Sequence, residues 1–294
     1  MRKRQNKLLP GLTIMAVLLA GLLTYQVFAT RNEPFINIRS VSANHYLLKQ
    51  RNGPIINQKK PQKKIAIASL TKIMTALCLI EQTEDLNQVT TVPETIFLDI
   101  QQNNLAVAGL QPGEVISYRD LLHGILLPSG ADATMTAVLS VSGSEDAFVA
   151  EMNHKAAELG MSNIHFTNSI GLDTGDHYST VEDLALLLEY ALTNETFYYV
   201  FTSLYYQGAP TNCHPEGNYF TSSLISRGES LELNNGQTIG GKTGYTKKAG
   251  LCLASLAQIN GEEYLLILAG SKGDSQSEQL NLIESRKLYN ESLL

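Results

Sequence analysis

Leu251-Cys252-Leu253-Ala254-Ser255-Leu256-Ala257-Gln258, then Asn260-Gly261, then Tyr264-Leu265-Leu266-Ile267-Leu268 is the stretch that decides how this chain is built. Both apolar runs are β-leaning, and the Asn-Gly pair between them is a tight hairpin turn, since both residues tolerate positive φ. Upstream, Thr238 to Lys242 reads as a further strand. Downstream, Glu278 to Leu288, with Leu280, Ile283 and Leu288, reads as a packing helix. At the other end of the chain Tyr46 to Gln50 and Ile55 to Asn57 flank Arg51-Asn52-Gly53-Pro54 and read as two short strands around a turn.

Between these ends the period changes. From Ser69 to about Leu192 the pattern is helical, with Leu70, Ile73, Met74, Leu77 and Ile80 at the three and four spacing of one helix face. Ser179-Thr180-Val181-Glu182 has the form of a capping box ahead of the apolar run Leu184, Leu186, Leu187 and Leu188. Strands at both ends and helices between them predict an α/β (α+β) fold. Its antiparallel sheet is assembled from both termini and flanked by helices, with a mainly helical insertion over about 69–215. The seam between sheet and insertion is a natural cleft.

Composition narrows the function. The net charge is −6, and residues 1–30 hold Arg2, Lys3, Arg4 and Lys7 without an acid, which leaves −10 on the remainder. That balance argues against a nucleic-acid partner. Three widely spaced cysteines without Cys-x-x-Cys, and six histidines without H-E-x-x-H spacing, predict neither a disulfide framework nor a metal site. No cofactor is expected. Behind the basic N-terminus an uncharged run extends through Leu23 to Ala29, about the ~20 residues that span a bilayer, and the flanking charge directs everything after residue 30 outside. Residues 1–30 therefore read as an uncleaved signal-anchor, with a cleaved signal peptide ending at Val27-Phe28-Ala29 as the alternative. Residues 31–45 read as a linker and 46–294 as the folded domain. The basic cluster Lys59, Lys60, Lys63 and Lys64 reads as a solvated loop.

Ser69 is followed at the third position by Lys72, which on a helix sets the two side chains on adjacent turns of one face, close enough for an amine to take a hydroxyl proton. Chance alone supplies about one Ser-x-x-Lys in a chain of this length. A lysine titrating near 10.4 must also fall to ~7 or 8 to serve as base. Burial and a second nearby cation would bring it down. Gly241-Lys242-Thr243-Gly244-Tyr245 offers that cation on a strand, together with a hydroxyl donor and a glycine that admits a ligand backbone to the strand edge. Pro128-Ser129-Gly130 is a turn between helices that presents Ser129 to the same cleft.

The ordered set Ser69-Leu70-Thr71-Lys72, Ser129-Gly130 and Lys242-Thr243-Gly244 is similar to the three motifs of penicillin-binding proteins and serine β-lactamases. Leu159-Gly160-Met161, His165-Phe166-Thr167-Asn168, Gly171-Leu172-Asp173, His177-Tyr178-Ser179-Thr180 and Lys248-Ala249-Gly250 narrow it: over residues 45–290 the chain resembles low-molecular-weight D-alanyl-D-alanine carboxypeptidases. The resemblance implies a β-lactamase/transpeptidase-like fold and an acyl-enzyme on Ser69, with Lys72 accepting its proton and Ser129 relaying one to the departing D-alanine. Lys242 and Thr243 would hold the substrate's terminal carboxylate, Gly244 would admit its backbone to the strand edge, and the N–H groups of Ser69 and Tyr245 would form the oxyanion hole. The partners it implies are peptidoglycan stem peptides ending in D-Ala-D-Ala, β-lactams as inhibitors, and the cytoplasmic membrane through the N-terminal segment, on whose outer face the protein would act.

Ala131 departs from the pattern, since the second motif usually ends in an asparagine whose amide binds the substrate peptide. With about fifty residues after Lys242, the N-terminal segment is expected to be the only tether. Arg227 reads either as a helper in carboxylate binding or as a surface residue, and Asp173 with His177 as a loop brace. The rivals are a serine β-lactamase, for which the Glu-x-x-x-Asn of class A enzymes is missing from Asn168 to Asp173, and a catalytically silent wall-binding module.

Overall fold

The computed structural model describes Ile38 and residues 41–293. The predicted membrane segment lies outside the described residues, and among those described no helix is long and apolar enough to cross a membrane. At Asn260-Gly261, with φ of 53° and 84°, the chain makes the expected hairpin between β9 (Gly250–Ile259) and β10 (Glu262–Ser271). β8 (Gly236–Thr246) pairs with β9, and β1 (His45–Gln50) pairs with β10, each antiparallel, so the N-terminal strand closes against the C-terminal meander. β2 (Ile55–Lys59) and the two-residue β7 (Glu232–Leu233) complete a six-stranded sheet ordered β2-β1-β10-β9-β8-β7.

The sheet is covered on both faces, which explains why β10 reads as a continuous apolar run. Leu265, Ile267 and Ala269 face the main helical core, whereas Leu266 and Leu268 face a second cluster with Tyr46, Leu48, Leu288 and Tyr289. Burying each of these leucines contributes ~1.5 to 3 kcal/mol. Everything from a 3₁₀ turn at Ala68–Leu70 to Thr221 is inserted between β2 and β7. It comprises α1 (Thr71–Gln82), α2 (Ile96–Gln102), α3 (Tyr118–Leu126), α4 (Ala131–Ser142), α5 (Glu145–Glu158), α6 (Val181–Ala191) and α7 (Glu195–Thr202), closed by α8 (Leu280–Ser292) on the other face of the sheet.

Three details differ from the sequence reading. The helical region contains two small ribbons, β3 (Val89–Thr91) with β4 (Val115–Ser117) and β5 (Tyr205–Gln207) with β6 (Tyr219–Thr221). Three-residue strands are too short to display a period. The packing face of α8 is rotated from Leu280 and Ile283 to Asn281, Leu282, Ser285, Leu288 and Tyr289. Polar groups on that face are paired, Asn281 Nδ2 with Cys252 O at 2.8 Å and the Glu284 carboxylate with Ser271 Oγ at 2.6 Å and Ala43 N at 3.1 Å. An apolar-periodicity argument misses a face stitched by such bonds.

The third difference is the cap of α6. Thr180, one residue later than expected, accepts from the N–H of Asp183 at 3.0 Å, and Asp183 Oδ2 in turn accepts from Asn163 N at 2.7 Å. Thr180→Ala is therefore expected to cost ~1 kcal/mol in chemical denaturation, whereas Glu182→Ala should stay within ~0.5 kcal/mol. Equal losses from the two would return the cap to Ser179.

Candidate active site

Ser69 lies in the 3₁₀ turn that runs directly into α1, with Leu70 N donating to Ile67 O at 3.1 Å. One turn on, Lys72 is buried, and its Nζ donates to Ser69 Oγ at 3.3 Å and to Ile170 O at 2.9 Å. The spacing thus does what the sequence requires of it, and the Ile170 carbonyl fixes the amine. Burial brings the Lys72 pKa down to about 7, against the opposing charge of Asp132. Lys242, fully buried, is held well below its ordinary value by burial first and by the Lys72 charge second. The expected second lysine is therefore present, but desolvation and not its charge brings Lys72 down, and burial disfavours the charged form of Lys242 as well.

Ser129 occupies the turn between α3 and α4 with φ of 67°, and its Oγ is buried without a hydrogen-bond partner among the described residues. The turn is clamped by Gly130 N donating to Gly124 O at 2.8 Å and Ala131 N to Ala106 O at 2.7 Å. Asp132 ties down the facing wall: its carboxylate accepts from the N–H groups of Ala108, Gly109 and Leu110 at 2.7, 2.9 and 2.9 Å. Nothing in the sequence singled out Asp132, because its partners are backbone groups far away in the chain.

A cleft of about 500 Å³ joins these groups, lined among others by Ser69, Lys72, Ser129, Thr243, Gly244 and Tyr245. From Gly240 to Thr246, β8 pairs with β9 on one side and, among the described residues, has no strand on the other, so an open ladder edge faces the cleft. Gly244 is required there by contact, since a Cβ at that position would lie 3.0 Å from Ser69 N. Thr243 Oγ1 donates to Ser223 Oγ at 2.7 Å, a partner that no sequence signal indicated. Lys242 does not line the cleft; its Nζ donates to Thr243 O at 2.8 Å, behind the strand edge. Ala131 contributes a methyl group to the wall, on which Asn103 and Asn104 also stand.

Arg227 lines the cleft rim and its Nη2 donates to Ser275 O, so it is at the site and not a remote surface residue. Asp173 and His177 are not hydrogen-bonded to each other; buried His177 is bonded instead to Thr71 and Thr167. Cys78 and Cys252 are buried core residues, and Cys213 is exposed. Among the described residues no group of His, Cys, Asp and Glu is arranged to hold a metal ion.

A serine beside a buried lysine, a second hydroxyl across a cleft and a Lys-Thr-Gly strand edge define the class of penicillin-recognising serine enzymes, and the antiparallel sheet flanked by helices is their fold. A family profile described as D-alanyl-D-alanine carboxypeptidase matches residues 29–272, and the chain belongs to that family. It is 30% identical over 229 residues to the D-alanyl-D-alanine carboxypeptidase DacF of Bacillus subtilis (strain 168), covering 76% of this chain and 56% of that one. To the D-alanyl-D-alanine carboxypeptidase of Streptomyces sp. (strain K15) it is 28% identical over 258 residues, covering 85% and 87%. A solved DD-transpeptidase of Streptomyces K15 superposes with a TM-score of 0.75 at 26% identity, over 86% of this chain and 98% of that one. The chain spans 56% and 65% of the length of the relatives from B. subtilis and Mycobacterium tuberculosis.

The loop that supplies the Ile170 carbonyl is pressed onto the serine turn at Gly171, whose φ is 95° and where a Cβ would lie 2.0 Å from Ala68 O. Gly171→Ala is expected to lower thermal stability and to slow covalent labelling by fluorescent penicillin at least tenfold, because the added methyl must displace the Ala68-Ser69 peptide. Labelling at the unaltered rate would show that this contact does not position the serine.

Proposed function

We propose that this chain is a serine D-Ala-D-Ala carboxypeptidase that removes the terminal D-alanine from peptidoglycan stem pentapeptides and is acylated by β-lactams at the same atom. The observation that carries the reading is the Ser69 Oγ to Lys72 Nζ contact of 3.3 Å at a buried amine, on the floor of a cleft that Ser129 also lines. Neutral Lys72 takes the Ser69 proton while Oγ attacks the carbonyl of the penultimate D-alanine. The N–H groups of Ser69 and Tyr245 hold the resulting oxyanion. The C–N bond then breaks, the leaving amine receives its proton through Ser129, and D-alanine departs. Water cleaves the ester, with Lys72 again accepting a proton, and Ser69 is restored.

The open edge of β8 at Lys242 to Tyr245 suits an extended peptide, and Thr243 together with Arg227 suits its terminal carboxylate. Lys242, set behind the edge, holds the Thr243 carbonyl and makes no contact with the peptide. A β-lactamase would need a base for rapid deacylation. The loop facing Lys72 presents a backbone carbonyl, and the nearby Glu145 carboxylate is engaged by Ser169 N at 2.9 Å and Ser169 Oγ at 2.7 Å. This supports slow deacylation of penicillin. The substrate lies outside the cytoplasmic membrane, and the basic, then apolar, residues 1–30 suit export and tethering there.

The soluble part, incubated with a muropeptide ending in D-Ala-D-Ala, is expected to release D-alanine and to turn over nitrocefin slowly, and Ser69→Ala is expected to abolish both release and penicillin labelling. Rapid nitrocefin hydrolysis without D-alanine release would overturn the reading in favour of a lactamase. Activity also has a pH signature. The base must be the free amine, which exists above its pKa, so kcat/KM for acylation should rise tenfold per pH unit below about 7 and level off above it. A rise that continues to pH 10 would show an amine of ordinary pKa and overturn the desolvated state of Lys72, and a rate unchanged across pH 7 would remove Lys72 from the role of base.

A further inference from the structure

The peptide joining Ala68 to Ser69 is held in a conformation that alanine rarely adopts, with φ of 48° at Ala68. Its carbonyl is gripped by a chain of hydrogen bonds that the proposed chemistry does not use. Ala68 O accepts from the Thr71 backbone N–H and, at 2.8 Å, from Thr71 Oγ1, and that hydroxyl lies 2.8 Å from His177 Nε2. The other ring nitrogen, Nδ1, accepts from the backbone N–H of Thr167 at 3.1 Å and faces Asn168 Nδ2 at 3.4 Å. A backbone N–H only donates, so Nδ1 must be the bare nitrogen and the ring proton must sit on Nε2. Nε2–H then donates to Thr71 Oγ1, which leaves that hydroxyl its own proton for Ala68 O. Each proton in the chain is assigned by its partners.

The ring is suited to a fixed tautomer. His177 is buried, lines a separate cavity of about 400 Å³ and not the catalytic cleft, and burial keeps its pKa down at about 4 against the opposing charge of Asp173. It is neutral throughout the range in which Lys72 titrates. On another side of the same peptide stands Gly171, with no room for a side chain. In a planar trans peptide the C=O and N–H point in opposite directions, so holding the Ala68 oxygen also aims the Ser69 N–H.

We propose that His177 is a positioning residue of the acylation site: through Thr71 it fixes the Ala68 carbonyl and thereby directs the Ser69 N–H at the oxyanion. The inference rests on the reading of Ser69 N–H as an oxyanion donor. Without the Thr71 hydroxyl proton the oxygen keeps the Thr71 backbone N–H but loses the side-chain bond, and the strained peptide is expected to rotate so that the donor turns from the cleft. Thr71 is thus more than a spacer in Ser-x-x-Lys, and the His177 block is part of the same device although it lies more than a hundred residues away.

The test uses Thr71→Val, which keeps shape and loses the hydroxyl, Thr71→Ser, which keeps it, His177→Leu, and the double variant of Thr71→Val with His177→Leu. Each is assayed on a depsipeptide ester and on its thionoester, whose sulfur fits an oxyanion hole poorly. Thr71→Val and His177→Leu are expected to lower kcat/KM on the oxygen ester ~10- to 100-fold, short of the ~10² to 10³ for losing a whole donor, with KM little changed. The thionoester should lose far less, so the preference for oxygen collapses; the double variant should be no worse than the poorer single one, and Thr71→Ser should behave as wild type. Equal losses on both substrates, or an intact oxygen preference in folded Thr71→Val, would overturn the inference, and Thr71→Val decides alone should His177→Leu not fold. Wild-type protein that forms no acyl-enzyme would sink the proposed function itself, a result distinct from either.

Discussion

An amine stripped of water beside a serine hydroxyl is the constraint around which this structure is arranged. Charging Lys72 in its buried setting costs on the order of 5 kcal/mol more than in solution, which favours the neutral amine, and burying that polar group is tolerable because Ser69 Oγ and Ile170 O bond it. Each acceptor must be delivered by a different part of the chain. The serine comes on the turn that opens α1. The carbonyl comes on a loop a hundred residues later, itself tied by Asn168 Oδ1 to the N–H groups of Gly171 and Leu172 at 2.7 and 2.9 Å.

Dehydration of that kind needs a wall that does not yield, and the sheet provides it. Because β9 and β10 are buried on both faces, between the helical insertion and α8, β8 is held against a rigid neighbour while its other edge stays open toward the cleft. The glycines of the third motif are explained by this closeness. Gly244 passes the Ser69 amide, and Gly240 passes the Phe201 carbonyl, where a Cβ would come within 2.4 Å. The same arrangement separates two roles that the motif alone runs together: Thr243 and Tyr245 line the cleft, whereas Lys242 stands behind it.

The legible parts of the sequence were those whose meaning is local or periodic. The hairpin at Asn260-Gly261, the apolar face of α1, the strands at both ends and the one-turn offset of Lys72 from Ser69 follow from backbone preferences and from geometry within a few residues. Errors arose where polar bonds overrode periodicity. The face of α8 turned to bury Asn281 and Glu284, the cap of α6 moved to Thr180, and His177 bonded to Thr71 and not to Asp173. Asp132, Ser223 and the Ile170 carbonyl left no signal, since a buried carboxylate bonded to amides, a second-partner hydroxyl and a backbone oxygen have no distinctive spacing.

By itself the sequence determined the identity and order of the reactive groups, and with them the family. A serine and a lysine one helical turn apart, a serine in a turn and a Lys-Thr-Gly strand can be read without coordinates because each is a local statement. Only the tertiary structure decided how those groups are ionised and aimed. The Lys72 pKa depends on exclusion of water by residues distant in sequence, and the strain at Ala68 is sustained by Gly171 and Thr71, the latter backed by His177. Desolvation and backbone orientation are properties of what surrounds a residue in space, and no spacing along the chain encodes them.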